Sequence, residues 1–468
     1  MKSRFKRVVG FLFEVERHEL LKVALLAIAF FFVIGAYTVT RELKDAVFST
    51  IVGSDRRFLA YAKIASMFIL VPAIFFHSRL VDLLRRHYLL YIYALFYGIL
   101  GFVFVYFLGH KDIGLPNVVS SPYRLFGWFF YFFIEGYAPL VVSVFWAFAN
   151  SMTAPSSAKN NYTVIIAGSK LGGIIAAGGA WVLLRSGLFS DVANLQIILA
   201  LSSIALCFVP LIIYYLVTKV PQKELHGYEA GYKLQKIRHA THKDEGFTVV
   251  HSMFSGLVML FKYPYVMGIF GMSFFFELIS QALKVENIIF GKHVSNTLSE
   301  FTAFLLWQAL LVHLVAFFVV TFGTRALISY LGERRSLLLI PAATGLAMIV
   351  FVLYPSYSSA IFAFVVTRSV NYAFAAPLRE SLYIPTVKEV QFKSKSWIDG
   401  VGVKFSKTCA SSFNMYTDGL VGTALLGVQS VFFGLVISFW FLVAYVLGLR
   451  YEKAVKRNEV IGSGEILP

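Results

Sequence analysis

From about residue 20 onward, long apolar runs alternate with short polar connections. Twelve runs can be delimited, at 20–48, 57–78, 88–109, 125–149, 163–184, 193–217, 264–283, 301–323, 336–354, 358–380, 398–425 and 427–449. A helix needs about 20 apolar residues to cross a bilayer. The runs are continuous in polarity rather than alternating, which predicts helices and excludes barrel strands. The expected fold class is an all-α polytopic membrane protein with twelve transmembrane helices.

The longest polar stretch, Thr218–Val249, lies between the sixth and seventh runs. It divides the chain into a six-helix bundle over 1–217, a linker over 218–249, a second six-helix bundle over 250–449 and a tail over 450–468. Two six-span halves joined by a polar linker is the plan of the major facilitator fold. A shift of 234 residues, half the chain, maps Lys159 onto Lys393, Gly168 onto Gly402 and Lys170 onto Lys404. The segment SRLVDLLRRH after the second run places Leu80, Asp82 and Arg86 as a facilitator gating loop would. RALISYLGERR after the eighth keeps Leu327, Gly332 and Arg334.

Composition sharpens this picture. The chain of 468 residues is 58% hydrophobic and only 14% charged, against about 25% charged in soluble domains. A soluble enzyme, a disordered chain and a disulfide scaffold are excluded. Cys207 and Cys409 both lie in apolar runs, and no ligand cluster for a metal is evident, so no cofactor is expected. The first run is long enough to span and no cleavage site precedes a polar start, so it is expected to remain in the protein.

The net charge of +17 would suggest nucleic acid in a soluble protein. Here its distribution follows the positive-inside rule, and no nucleic-acid partner is expected. Arg79, Arg85, Arg86, Lys159, the basic linker, Arg325, Arg334, Arg335, Lys388, Lys393, Lys395 and the tail from Arg450 fall on one side. Only Arg56, Arg57, Lys111, Arg124, Arg185 and Lys292 fall on the other. Both termini are therefore expected in the cytoplasm, with the protein in the inner membrane.

Charges within the runs are the candidate chemistry, because each costs about 2.5–3.5 kcal/mol on insertion. Arg41, Lys44 and Asp45 share one face of the first helix, and two bases against one acid leave a surplus that suits an anion. The plain alternative is an interfacial cap of snorkelling side chains. Glu135 stands in an aromatic run, so it must be protonated, paired or in a polar cavity. Pro139, one turn later, predicts a kink. The fifth run carries Lys170 among Gly168, Gly172, Gly173, Gly178 and Gly179, glycines that suit close helix packing better than binding. Glu277 lies in the seventh run; Arg368, Asn371, Arg379 and Glu380 in the tenth; Asp399, Lys404 and Lys407 in the eleventh. Lys404 and Lys407 share a face and repel unless an anion or a distant carboxylate compensates. The expectation is that bases from the first and eleventh helices converge on a central cavity. There Glu135 and Glu277 would pair with them until substrate displaces the acids. Tyr137, Trp146 and Tyr162 are candidate base-stacking residues.

At these residues the chain resembles the nucleotide transporters of plastids and intracellular bacteria, the ATP:ADP antiporters. His18, Glu19, Leu20, Lys22, Tyr37, Arg41, Lys44 and Asp45 match the family's first span. Glu135, Phe145, Trp146, Phe148, Ala149, Asn150, Ala158, Lys159 and Tyr162 match a second segment, and Glu277 the acid of a third. Pro377, Glu380, Tyr383, Ile384, Pro385, Lys393, Lys395, Ile398, Asp399 and Lys407 match a fourth. The likeness covers both halves in order. It departs at Gly136-Tyr137, at Leu278–Gln281 and at Ser406-Lys407-Thr408.

The resemblance implies a major-facilitator-like fold and exchange of ATP for ADP, with no enzymatic chemistry. It assigns transport to Lys44, Glu135, Glu277 and Lys407 or Lys404, assisted by Arg41. Asp45, Asn150, Tyr162, Lys170, Glu380 and Asp399 are expected in secondary or gating roles. The partners expected are a nucleotide and the lipid bilayer, with the protein acting as a monomer. The nearest alternative is a proton-coupled importer of nucleotides or another anionic phosphorylated metabolite. An intramembrane transferase is a remote one.

Overall fold

The structure is a computed structural model that describes residues 19–153, 158–220, 257–383, 385–387, 390, 394–457 and 459–462. Linker residues 221–256 lie outside the described residues, as do His18, Ile384, Lys388 and Lys393. The side chains of Arg79, Asp82, Arg86, Ala158, Lys159, Arg325 and Pro377 also lie outside.

Helices stand at every predicted position. They are α1 (Leu20–Ile51), α2 (Arg56–Leu83), α3 (Arg86–Leu108), α4 (Leu125–Glu135), α5 (Ser143–Met152), α6 (Ala158–Arg185), α7 (Asp191–Lys219), α8 (Pro264–Val294), α9 (Leu298–Phe318), α10 (Thr324–Leu353), α11 (Tyr357–Val370), α12 (Ala376–Leu382), α13 (Val403–Tyr416) and α14 (Gly422–Lys456). Among the described residues, nine helical segments are long and apolar enough to cross a membrane. The protein is a nearly all-helical integral membrane protein.

Four spans contain a π-helical turn: Ala138–Val142 joins α4 to α5, Val319–Gly323 joins α9 to α10, Asn371–Ala375 joins α11 to α12, and Ile398–Gly402 precedes α13. Each inserts an extra residue per turn and re-aims the side chains beyond it. At Pro139, where the sequence predicts a kink, the structure has one of these π turns.

Two boundaries differ from expectation. The seventh run ends by hydropathy at 283, but α8 continues to Val294, because Val285, Ile288 and Phe290 resume the apolar stripe after Lys284. The eleventh run was expected to reach 425; α13 stops at Tyr416, and a turn with Gly419 at φ 86 and Gly422 at φ 58 starts the last helix. The predicted loop RALISYLGERR is mostly helical within α10, broken at Gly332, where φ is 75.

The chain groups into two compact units. The first comprises residues 1–54, 68–241 and 291–321; the second comprises 55–67, 242–290 and 322–468. In the first unit α1 is central and packs most closely on α6. Gly172 makes this possible, since a Cβ there would run into the Phe31 carbonyl oxygen. A Cβ on Gly168 would lie 3.0 Å from the Ala27 oxygen. The glycine stripe is a packing surface. In the second unit α10 packs on α14, with Arg334 bonded to Glu452 at 3.2 Å and Trp440 fully buried.

Candidate functional site

In the first unit, α1 and α4 bring Lys44 and Glu135 together. The Lys44 ammonium donates to Glu135 Oε2 at 2.7 Å and lies 3.2 Å from Asp45 Oδ1. It also sits 4.2 Å from the centre of the Tyr131 ring. Lys44 is 2% exposed and Glu135 9%. A lone charge at such depth costs several kcal/mol, so each is kept by the other.

One turn before Lys44, Arg41 donates to Glu42 Oε1 at 2.7 Å and its guanidinium lies 5.6 Å from the Tyr37 ring centre. Tyr37 in turn stacks on Tyr137 at 5.2 Å, nearly parallel at 13°. Tyr137 is anchored by its hydroxyl, which donates to the Val33 carbonyl at 2.9 Å.

The expected charge surplus is corrected here. Arg41 and Lys44 face three carboxylates, Glu42, Asp45 and Glu135. Spacing along α1 could not count Glu135, which arrives from another helix, and the shared face of Arg41, Lys44 and Asp45 did not include Glu42. Among the described residues, the ion pairs of this cluster set its two cations against three of the protein's own acids.

In the second unit, α8 and α13 bring Glu277 and Lys407 to 3.5 Å, with side chains 18% and 25% exposed. Lys407 therefore meets the acid, and Lys404, one turn earlier, lies half-buried. The same face of α8 carries Ser280, whose hydroxyl accepts from Arg368 Nε at 3.2 Å, and Ser273, which accepts from Arg379 at 2.9 Å. A hydroxyl partner satisfies a guanidinium without cancelling its charge.

The remaining candidates disperse. Glu380 pairs with Lys395 at 2.5 Å, largely exposed. Asp399 is exposed on its π turn, and Asn150 is exposed at the end of α5. Lys170 is buried within α6, in the helix that packs on α1. Trp146 is boxed by Phe30, Phe145 and Tyr162 at steep angles, with Tyr162 at 5.5 Å. Edge-on packing of this kind uses the rings as filler.

Three polar clusters escaped the sequence reading. Lys22, buried, donates to Glu19 at 2.5 Å and to the Met152 carbonyl at 3.1 Å, while Asn161 donates to Glu19 at 2.8 Å. His313 is buried on α9, 2.9 Å from the Thr38 hydroxyl. That hydroxyl spends its proton on the Ile34 carbonyl at 2.7 Å, so His313 Nε2 is the donor. Arg56 forms a forked bond to Glu286 at 2.8 and 3.0 Å, and Gln429 donates to the same acid at 3.0 Å. Glu286 was hidden by the early end assigned to the seventh run; the apolar stripe resuming at Val285 was the signal that would have found it.

The fold is that of major-facilitator transporters. The structure resembles the xylose transporter XylE from E. coli, with a TM-score of 0.57 at 13% identity, covering 97% of this chain and 100% of that one. A peptide transporter, POT, aligns with a TM-score of 0.54 at 12% identity, covering 93% and 95%. These identities show the fold alone.

A narrower likeness comes from sequence. Residues 1–120 match the family model described as TLC ATP/ADP transporter. ADP,ATP carrier protein 1 of Chlamydia pneumoniae is 23% identical, covering 97% of this chain and 96% of its own. ADP,ATP carrier protein 1 of Rickettsia bellii is 22% identical, covering 98% of each. The chain is thus similar in sequence to these carriers along nearly its whole length.

Proposed function

We propose that this protein is a membrane transporter of nucleotides that exchanges ATP for ADP by alternating access. Its termini lie in the cytoplasm, it resides in the inner membrane, and it works as a monomer without a cofactor or enzymatic step. The halves before and after the linker are the moving bodies. The observation that carries the reading is the Lys44–Glu135 pair, an ion pair sealed in apolar helices at positions that match the carrier motifs. A second pair, Lys407–Glu277, supports it from the other unit. In the first unit phosphate oxygens take the place of the carboxylate on Lys44, where Arg41 adds a donor; in the second, Lys407, Lys404 and Arg368 are the candidate donors.

The transport test is direct. Liposomes carrying the protein and loaded with ADP are expected to take up labelled ATP, whereas unloaded liposomes are not. Lys407→Ala is expected to lower that uptake at least tenfold with an unchanged melting temperature, since its side chain is a quarter exposed. Normal uptake by this variant would remove Lys407 from the site.

One observation favours the second reading, a proton-coupled importer. Two cations already face three carboxylates around Lys44. A polyphosphate arriving there is repelled unless an acid withdraws or takes up a proton. Uptake into unloaded liposomes driven by a pH gradient would establish this mode instead of exchange.

A further inference from the structure

Tyr37, Arg41 and Lys44 occupy positions i, i+4 and i+7 of α1, so an aromatic ring, a guanidinium and an ammonium line one stripe of the helix. At 1.5 Å per residue the stripe runs about 10 Å from the ring to the ammonium. That is of the same order as the reach from a purine to the terminal phosphates of an extended nucleotide.

The ring at the upstream end is built as a platform. One face of Tyr37 rests on Tyr137, nearly parallel at 5.2 Å. Tyr137 is fully buried, fixed by its hydroxyl bond to Val33 and by the edge of Tyr97 at 5.1 Å. Tyr37 itself is only half-buried. The Arg41 guanidinium, a planar cation, lies 5.6 Å from the ring centre. A flat, positively charged group resting on an aromatic ring marks a place that another flat group can take.

We infer that Tyr37 is the base-stacking residue of the transport site. The nucleobase lies on Tyr37, and Arg41 leaves the ring to bind phosphate beside Lys44. This inference rests on the nucleotide reading and extends it, because it assigns the base to a residue of this chain and the phosphates to the next two turns. Of the candidates named from sequence, Trp146 packs edge-on against Phe30, Phe145 and Tyr162, and Tyr137 is the backing layer.

Competition in proteoliposomes separates base from phosphate recognition. Labelled ATP uptake is measured for the wild type, Tyr37→Leu, Tyr37→Phe and Tyr37→Trp, with unlabelled ATP or inorganic tripolyphosphate as competitor. Stacking is worth about 1–3 kcal/mol per base, or roughly 5- to 150-fold in affinity. Tyr37→Leu is expected to weaken ATP by that factor and leave tripolyphosphate inhibition unchanged, while the Phe and Trp variants keep wild-type affinity for both. A Tyr37→Leu protein that loses ATP and tripolyphosphate equally, or neither, overturns the assignment and leaves the nucleotide reading standing. The same holds if Tyr37→Phe fails like Tyr37→Leu. If Tyr37→Leu does not yield folded protein, the Trp variant decides: ATP affinity below wild type with tripolyphosphate unaltered overturns the stacking geometry. A wild type that takes up no ATP overturns both readings together.

Discussion

Lys44 is held by two acids, and that decides what its removal does. Lys44→Ala leaves Asp45 and Glu135 facing each other in a dry setting, which costs about 3–5 kcal/mol when a buried pair is broken from one side. The variant is expected to melt well below the wild type in detergent. Lys44→Met combined with Glu135→Gln removes both charges of the pair and is expected to regain most of that loss while remaining inactive in uptake. Equal melting temperatures for the wild type and Lys44→Ala would show that the pair contributes nothing to the fold. Lys44 and Glu135 were legible in the sequence because a charge inside a long apolar run has few ways to survive. Their partnership was not, because 91 residues separate them and hydropathy records no distance across helices. Helical spacing does not bring in Glu42 either: it is adjacent to Arg41 in sequence, yet the long guanidinium side chain bends back to reach it at 2.7 Å.

Helices carry the next level of information, and glycine marks where they touch. A Cβ at Gly172 meets backbone, which cannot swing aside, so Gly172→Val is expected to destabilise by about 1–3 kcal/mol through separation of α1 from α6. Gly179 has nothing within 4 Å of an added Cβ. Gly179→Ala is therefore expected to be neutral or to stabilise by up to about 1 kcal/mol through helix propensity. Thermal melting of the two purified variants checks the contrast, and equal effects would mean that the glycines do not act through contact. Density of small residues was readable as a packing signal, but the identity of the partner helix came only with the coordinates. An irregularity at Pro139 was readable as a kink, because proline removes a backbone donor, but not its π-helical form. The π turns at Asn371–Ala375 and Ile398–Gly402 carry no such mark. An extra residue in a turn is a tertiary accommodation that leaves composition unchanged.

For the molecule as a whole, the proposed orientation rests on the distribution of charge between the two faces. Of the few cations assigned to the outer face, Arg56 is paired with Glu286 and Arg57 with Asp418 at 2.7 Å. Arg124 is wrapped in carbonyls of its own loop, those of Ile113, Gly114, Asn117 and Val119. Cations on the other side are paired as well, Arg334 with Glu452 and Lys395 with Glu380, so pairing leaves the asymmetry to the numbers of basic residues. The tail adds a geometric check. Ile461 donates to the Pro385 carbonyl at 2.8 Å and accepts from Val387 at 3.1 Å, which puts the end of the chain on the same face as the basic loop after the tenth run. The resulting topology predicts which residues an impermeant maleimide reaches in intact cells. In a Cys207→Ser, Cys409→Ser background, Val118→Cys is expected to label from outside, since Val118 is 88% exposed in the loop after α3. Arg457→Cys, exposed after α14, is expected to label only once the cells are opened. The opposite pattern would invert the orientation and place the basic linker outside. Labelling of both in intact cells would break the even number of crossings that the two similar halves require.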